Sequence, residues 1–292
     1  MSDKPRIGGE LDFLQYNDDD MRTFAAVKHN DLIQSQHYTL EKGKGESLTL
    51  MEQKVLLYVI SQIKPTDTEL KEQWFDIKQF CDICGFNTSG ANYELLKETI
   101  TKLKSRVMWL YTDETETTVS WIDKATIYKH SGRIKIRLDE DLKPYLLMLH
   151  RNYTKIPLFN IIRMKSKYGI ALYELLQSYS FMGDTIEFNI DYLKKYLDCE
   201  NYERPAAFQS RVLNPAMRDI NTYSNIYCEY EMIKNGRQYE KIIFHMRDLE
   251  KSSALRDVEE RIRRQNNVRC EVDENQIMIQ EILQRHKKGE TE

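Results

Sequence analysis

One stretch of this chain concentrates side chains that bond to flat, acceptor-rich ligands. Between residues 204 and 220 the apolar residues Phe208, Val212, Ala216 and Ile220 recur at every fourth position, the spacing of one helix face. Arg204, Gln209, Arg211, Asn214 and Arg218 are left for the polar side of the same helix. Arginine suits guanine edges and phosphates alike, and the carboxamides of Gln and Asn suit adenine edges. A little further on, NIYCEYEMIK and RQYEKIIFHM flank Asn235-Gly236, which marks a hairpin with Lys234 and Arg237 beside its turn. Pro215 lies inside the helix and removes a backbone bond to Arg211, so the expectation is a helix that bends rather than ends. On an isolated helix, exposed arginines are ordinary solvated surface. The neighbouring elements must decide.

Those elements follow an order that occurs twice. SLTLMEQKVLLYVISQIK places Leu48, Met51, Val55, Val59 and Ile63 at helical spacing, with Thr49 as N-cap and Pro65 as a stop. In WFDIKQFCDICGF, Phe75 and Ile77 alternate like a short strand before a helix through Phe80, Ile83 and Cys84 that stops at Gly85. A turn at Asn87 to Gly90 leads to a helix marked by Leu96, Ile100, Leu103 and Val107. VMWLYTD, TVSWIDKATIYKH and RIKIRL then predict an antiparallel ribbon. This is the order of a winged helix-turn-helix. The second copy aligns LYVISQ (57–62) with LYELLQ (172–177), FDIKQFCDIC (75–84) with FNIDYLKKYL (188–197), and LLKETITKL (95–103) with VLNPAMRDI (212–220). In the first copy the comparable DNA-facing positions are Tyr93, Lys97, Thr101 and Lys104, with Lys129, Arg133 and Lys135 on the ribbon.

The fold class is therefore α+β, two tandem winged-helix domains. Residues 1–26 are expected as a flexible acidic arm and 27–150 as the first domain. The second domain is placed at 151–248, after a joint near Arg151 to Lys155 that follows the helix-like DEDLKPYLLML, with Pro144 early in that helix. Residues 249–292 form a charged tail with weak helical periodicity.

Composition bounds the function classes. With 292 residues, 41% hydrophobic and 30% charged, the chain has the balance of a folded globular protein of two domains. The net charge of −3 argues against nucleic acid only if charge is spread evenly. It is not: Lys97, Lys102, Lys104 and Arg106 cluster against Glu98, while Asp12, Asp18, Asp19 and Asp20 sit in the arm. No run approaches the roughly 20 apolar residues of a spanning helix, and the start lacks the basic-then-apolar order of a signal peptide. A cytoplasmic address without membrane contact is expected. Five cysteines, odd in number and sparse, suit free thiols in a reducing compartment.

Catalytic constellations are missing from the sequence. Cys81-x-x-Cys84 is half a zinc site without a second pair, and the six histidines include no HxH or HExxH. No G-x-x-x-x-G-K-[ST] loop occurs. Trp74, Trp109 and Trp121 alternate with aliphatic residues and are better explained by sheet packing than by base stacking. No cofactor, metal or catalytic residue is expected, and the chain is read as a non-enzyme.

Taken together, VKHNDLIQS, LTLMEQKVLLYVISQI, KSKYGIALYELLQSY, FQSRVLNPAMRDIN and NGRQYEKIIFHM make the chain resemble the initiator Rep proteins of iteron-containing plasmids, the third Rep family. The resemblance covers about residues 27–248 and leaves out the arm and the tail. It implies a protein that binds direct repeats of double-stranded origin DNA as a monomer, helps melt adjacent DNA and brings in host replication proteins, including the replicative helicase. It also implies a homodimer that represses its own gene, and a second winged helix that dominates repeat recognition. Carried onto this chain, it points to Gln209, Arg211, Asn214 and Arg218 in the groove and Arg237 on the wing. The competing readings are a winged-helix transcriptional repressor and, from another class, a tyrosine nicking enzyme of rolling-circle replication, supported only by eighteen tyrosines.

Overall fold

The computed structural model describes residues 25–34, 38–39, 47–64, 67–84, 90–111, 115–128 and 131–249. Residues 1–24 of the expected arm, Lys129 and residues 250–292 of the expected tail lie outside the described residues. The described residues open with β1 (Ala25–His29) and α1 (Asn30–Gln34), followed by β2 (Tyr38–Thr39). The first strand takes in Ala25 and Ala26, small residues that leave little trace in an apolar pattern although both are buried.

Helix α2 (Leu50–Ser61) begins where its cap is written. Thr49 Oγ1 accepts from the Glu52 N–H, and the Glu52 carboxylate accepts from the Thr49 N–H at 2.7 Å, a capping box. The same carboxylate receives Arg106 through Nε at 3.0 Å and Nη2 at 2.9 Å. Arg106, counted in the sequence among the basic residues near α4 (Gly90–Ser105), is 4% exposed and acts as a strut between two helix ends. From Glu52 to Ser61 every residue of α2 is buried, where one apolar stripe was expected. The reason is that elements from both halves surround it: α4, β1, α6 (Leu158–Ile162) and α7 (Lys167–Tyr179) all pack on it. A helix covered on all sides loses its polar face.

The rest of the first half is β3 (Gln73–Asp76), α3 (Ile77–Cys84), α4 (Gly90–Ser105), β4 (Val107–Tyr111), β5 (Glu116–Ser120), β6 (Ile122–Tyr128) and β7 (Arg133–Leu138). Ile77, expected at the end of the strand, starts α3 instead. The expected single ribbon is two sheets, β2-β4-β5 and β3-β7-β6. TVSWIDKATIYKH divides at Trp121, which is fully buried, and a register shift follows between Ile122 and Lys124. The strand before the break pairs with β4 and the strand after it with β7. In β7 the alternation holds, with Ile134, Ile136 and Leu138 buried.

A 3-10 turn (Glu140–Leu142) and α5 (Lys143–Leu146), with Pro144 in its first turn, lead to β8 (Tyr153–Pro157). The stretch expected as a joint thus carries the start of a strand. It pairs antiparallel with β1, Ala25 opposite Pro157 and His29 opposite Tyr153. Beside this pairing Lys28 Nζ lies 2.5 Å from Glu174 Oε1, both side chains almost fully buried. Asn30 donates to Asn152 Oδ1 at 3.1 Å and to the Ser178 carbonyl at 3.2 Å, and accepts from Thr154 Oγ1 at 2.6 Å. Residues 25–34 are therefore fastened to the second half by buried polar bonds.

That half contains α6 (Leu158–Ile162), α7 (Lys167–Tyr179), β9 (Thr185–Asn189), α8 (Ile190–Tyr196), α9 (Pro205–Phe208), a π turn (Gln209–Leu213), α10 (Asn214–Tyr223), β10 (Ile226–Asn235) and β11 (Gln238–Asp248). Asn189 caps α8 by accepting from the N–H groups of Asp191 and Tyr192. The strands form one sheet, β10-β11-β9, with Phe188 opposite Ile242. Helix α10 crosses α7 at Gly169, where an added Cβ would stand 3.1 Å from Asp219 Cβ and 3.6 Å from Ala216 Cα. The crossing is held by Asp219, buried, whose Oδ2 accepts from the backbone N–H groups of Lys165 at 2.7 Å and Ser166 at 2.6 Å.

Candidate nucleic-acid interface

Pro205 occupies the first turn of α9, where its fixed φ suits the helix and its missing N–H costs nothing. Four residues later the helix opens into the π turn, in which the Asn214 N–H donates to the Gln209 carbonyl, and α10 starts with Pro215 in its first turn. The proline deprives Arg211 of an α-helical partner, and the wider turn absorbs the loss without ending the helix. The inward stripe is as the spacing requires: Phe208, Val212, Ala216 and Ile220 are all fully buried. Burying side chains of this size contributes about 1.5–3 kcal/mol for each large one, so the helix orientation is firmly set.

With that face inside, Arg204, Arg211, Asn214 and Arg218 are exposed and Gln209 is half-buried. Among the described residues Arg204, Arg211 and Arg218 have no ion-pair partner. The wing is β10 and β11, turning at Gly236 with φ +63°, a conformation that favours glycine. Lys234 and Arg237 are exposed beside it, and Lys234 Nζ stands 4.9 Å over the Tyr239 ring. Two free guanidinium groups on the helix, a third at its N-cap, Arg204, and two cations on the adjoining hairpin can meet phosphates and base edges together.

The sequence did not single out the residues that hold this helix from the wing side. Tyr230 OH donates to Asn214 Oδ1 at 2.8 Å, and Gln209 Nε2 lies 3.3 Å from Met232 Sδ. Asn221 accepts from the Cys228 N–H at 2.7 Å and donates to its carbonyl at 2.9 Å. Burial raises the Tyr230 hydroxyl above its usual range, so it keeps its proton. The available signal was the period of two in Tyr230 and Met232, which puts both on one face of a strand, whereas the Asn221 contact is to the main chain of Cys228 and leaves no such pattern.

The first winged helix differs in how its cations are used. Lys97 pairs with Glu94 at 3.4 Å, and Thr101 donates its hydroxyl to the Lys97 carbonyl. Lys104 bonds to the Asp123 carbonyl. Lys135 pairs with Glu72 and stands 5.1 Å over the Trp74 ring, and its bond holds the Glu72 carboxyl below its usual range. Arg133 is exposed at the start of β7, whereas Tyr93 is half-buried against the core. The DNA-facing positions expected for this domain are thus largely tied to neighbours. Among the described residues no group of acidic, Cys or His side chains could hold a metal ion, and no helix is long and apolar enough to cross a membrane.

Two family models match the chain: "Initiator Replication protein, WH1" over residues 25–177 and "Initiator Rep protein, WH2" over residues 189–246. The chain belongs to the initiator replication protein family. This initiator is 25% identical over 237 residues to a replication initiation protein of Escherichia coli, an alignment covering 77% of this chain and 70% of that one. Its fold is similar to that of the Pi initiator protein solved in complex with iteron DNA. The TM-score is 0.62 and the identity 18%, over 77% of this chain and 97% of the other. Domains 2 and 3 of RctB are similar at a TM-score of 0.44 and 10% identity, over 73% of this chain and 85% of that one. The WH1 match of the initiator runs through α7, consistent with the way β1, α1 and α2 pack against elements of the second half.

Proposed function

We propose that this initiator binds direct repeats, iterons, in double-stranded DNA at a replication origin, with the second winged helix as the main reader. Arg204, Arg211, Asn214 and Arg218 face the major groove, Gln209 stands at the margin of that face beside β10, and Lys234 and Arg237 meet the backbone. The observation that carries this reading is the unpaired state of the three arginines on a helix whose other face is buried, beside a basic wing. Similarity to a protein described in complex with iteron DNA supports it. In the first domain, 27–150, Tyr93, Lys97, Thr101, Lys104, Lys129, Arg133 and Lys135 supply a weaker contact or a dimer surface. The bound protein melts adjacent DNA and recruits host replication proteins, including the helicase, without catalysis of its own. As a dimer in the cytoplasm it represses its own gene.

The test is anisotropy binding of the full chain to DNA flanking its gene, against random duplex, over a range of salt. Binding to direct repeats should be tight and fall steeply with salt, and Arg211→Ala should cost about 1–3 kcal/mol on the repeats. Equal loss on random DNA would reassign Arg211 to a phosphate. Binding to inverted repeats only would favour a transcriptional repressor, and equal affinity for random DNA would remove the proposal.

A further inference from the structure

Strand β10 meets the polar side of the recognition helix at three places. The Tyr230 and Met232 side chains, two residues apart, reach Asn214 and Gln209, and the main chain of Cys228 is bonded by Asn221. Asn214 and Asn221 lie seven residues apart, two turns of α-helix, and so share a face. Gln209 precedes Asn214 by five residues, which in a regular α-helix would set it about 140° away. The π turn closes from the Asn214 N–H to the Gln209 carbonyl and takes up the extra residue, returning Gln209 to the side that faces β10. The π turn and the strand together form one device.

Its consequence falls on Asn214. This side chain is exposed, and its carboxamide has a donor end and an acceptor end of nearly the same shape. Left free, it would rotate and bond equally to an acceptor or a donor on a base edge. The Tyr230 hydroxyl engages Oδ1 at 2.8 Å from a ring that is half-buried and packed 6.3 Å from Phe244. Resting on the proposed reading of this helix as groove-facing, we propose that Tyr230 is a positioning residue that determines specificity. It holds the Asn214 carboxamide with its NH2 toward the groove, where it accepts a base with a major-groove acceptor, a purine N7 or thymine O4, and disfavours cytosine, whose N4 amino group is a donor.

The experiment is selection of bound duplexes from a random-sequence pool by the full chain, for wild type, Tyr230→Phe, Asn214→Ala and the double variant. Affinity for random DNA and thermal unfolding are measured on each. Wild type should disfavour cytosine at the base beneath Asn214, and a preference for cytosine there would overturn the proposed orientation. Tyr230→Phe keeps the ring, and it should relax that discrimination against cytosine about tenfold while leaving the other positions and random-DNA affinity unchanged. Asn214→Ala should abolish the discrimination, and the double variant should match it, as expected for two residues acting as a unit. If Tyr230→Phe keeps the wild-type preference while Asn214→Ala loses it, the positioning role is overturned and Asn214 still reads a base. A uniform loss at all positions or on random DNA, with or without lower thermal stability, makes Tyr230 merely structural and also overturns the role. If Asn214→Ala keeps every preference, the groove-facing reading of Asn214 fails, and this proposal with it.

Discussion

Arg106 and Arg211 carry the same guanidinium into opposite roles. Arg106 is 4% exposed and closes on both oxygens of Glu52, whereas Arg211 is exposed and has no ion-pair partner among the described residues. The charge clustering of 97–106 suggested a basic surface, but Arg106 is spent on the core, and Lys97, Lys104 and Lys135 are engaged by Glu94, Asp123 and Glu72. Composition registers charge, and only neighbours decide whether that charge is available. The same holds for the thiols. Cys199 and Cys228 are buried, and burial pushes both up to about 12. Their thiolate fraction near pH 8 is then negligible, and the thiolate is the reactive form. In native protein at about pH 8, these two should label far more slowly with a disulfide reagent than in urea, as followed by peptide mass spectrometry. Native labelling as fast as unfolded would show that the burial is not maintained in solution.

At the scale of elements, local chemistry was a good guide where it is self-contained. Thr49 caps α2, Asn235-Gly236 turns the wing, and Phe208, Val212, Ala216 and Ile220 face inward, because each depends on residues a few positions away. Pro215 does not end its helix, although nothing in the apolar pattern announces a π turn. The ribbon from Val107 to Leu138 was legible as strands but not as two sheets, since strand partners are chosen by packing around Trp121. The crossing of α7 and α10 was hidden for the same reason: Gly169 looks like an unfavourable helix residue until Asp219 stands against it. Gly169→Ala gains helix propensity but forces a contact of 3.1 Å. A net loss of about 1–2 kcal/mol is expected in urea unfolding. A gain in stability would mean that the helices separate readily.

Across the whole molecule the N-terminal strand is the feature that pattern reading missed. β1 pairs with β8, Lys28 meets Glu174 and Asn30 reaches Thr154 and Ser178, so the first of the described residues brace the second half. Lys28→Ala would leave Glu174 buried and unpaired, at a cost of about 3–5 kcal/mol. Replacing both by Lys28→Met and Glu174→Leu should recover most of that loss in chemical denaturation. A single variant as stable as wild type would place the pair outside the cooperative core. The sequence by itself determined the tandem winged-helix order and the helix faces, because period, caps and turns are properties of neighbouring residues. Only the tertiary structure decided which cations are free, which strand closes on β8 and which hydroxyl engages Asn214. Those outcomes depend on groups far apart along the chain, which periodicity can assign to a face but cannot assign to a partner.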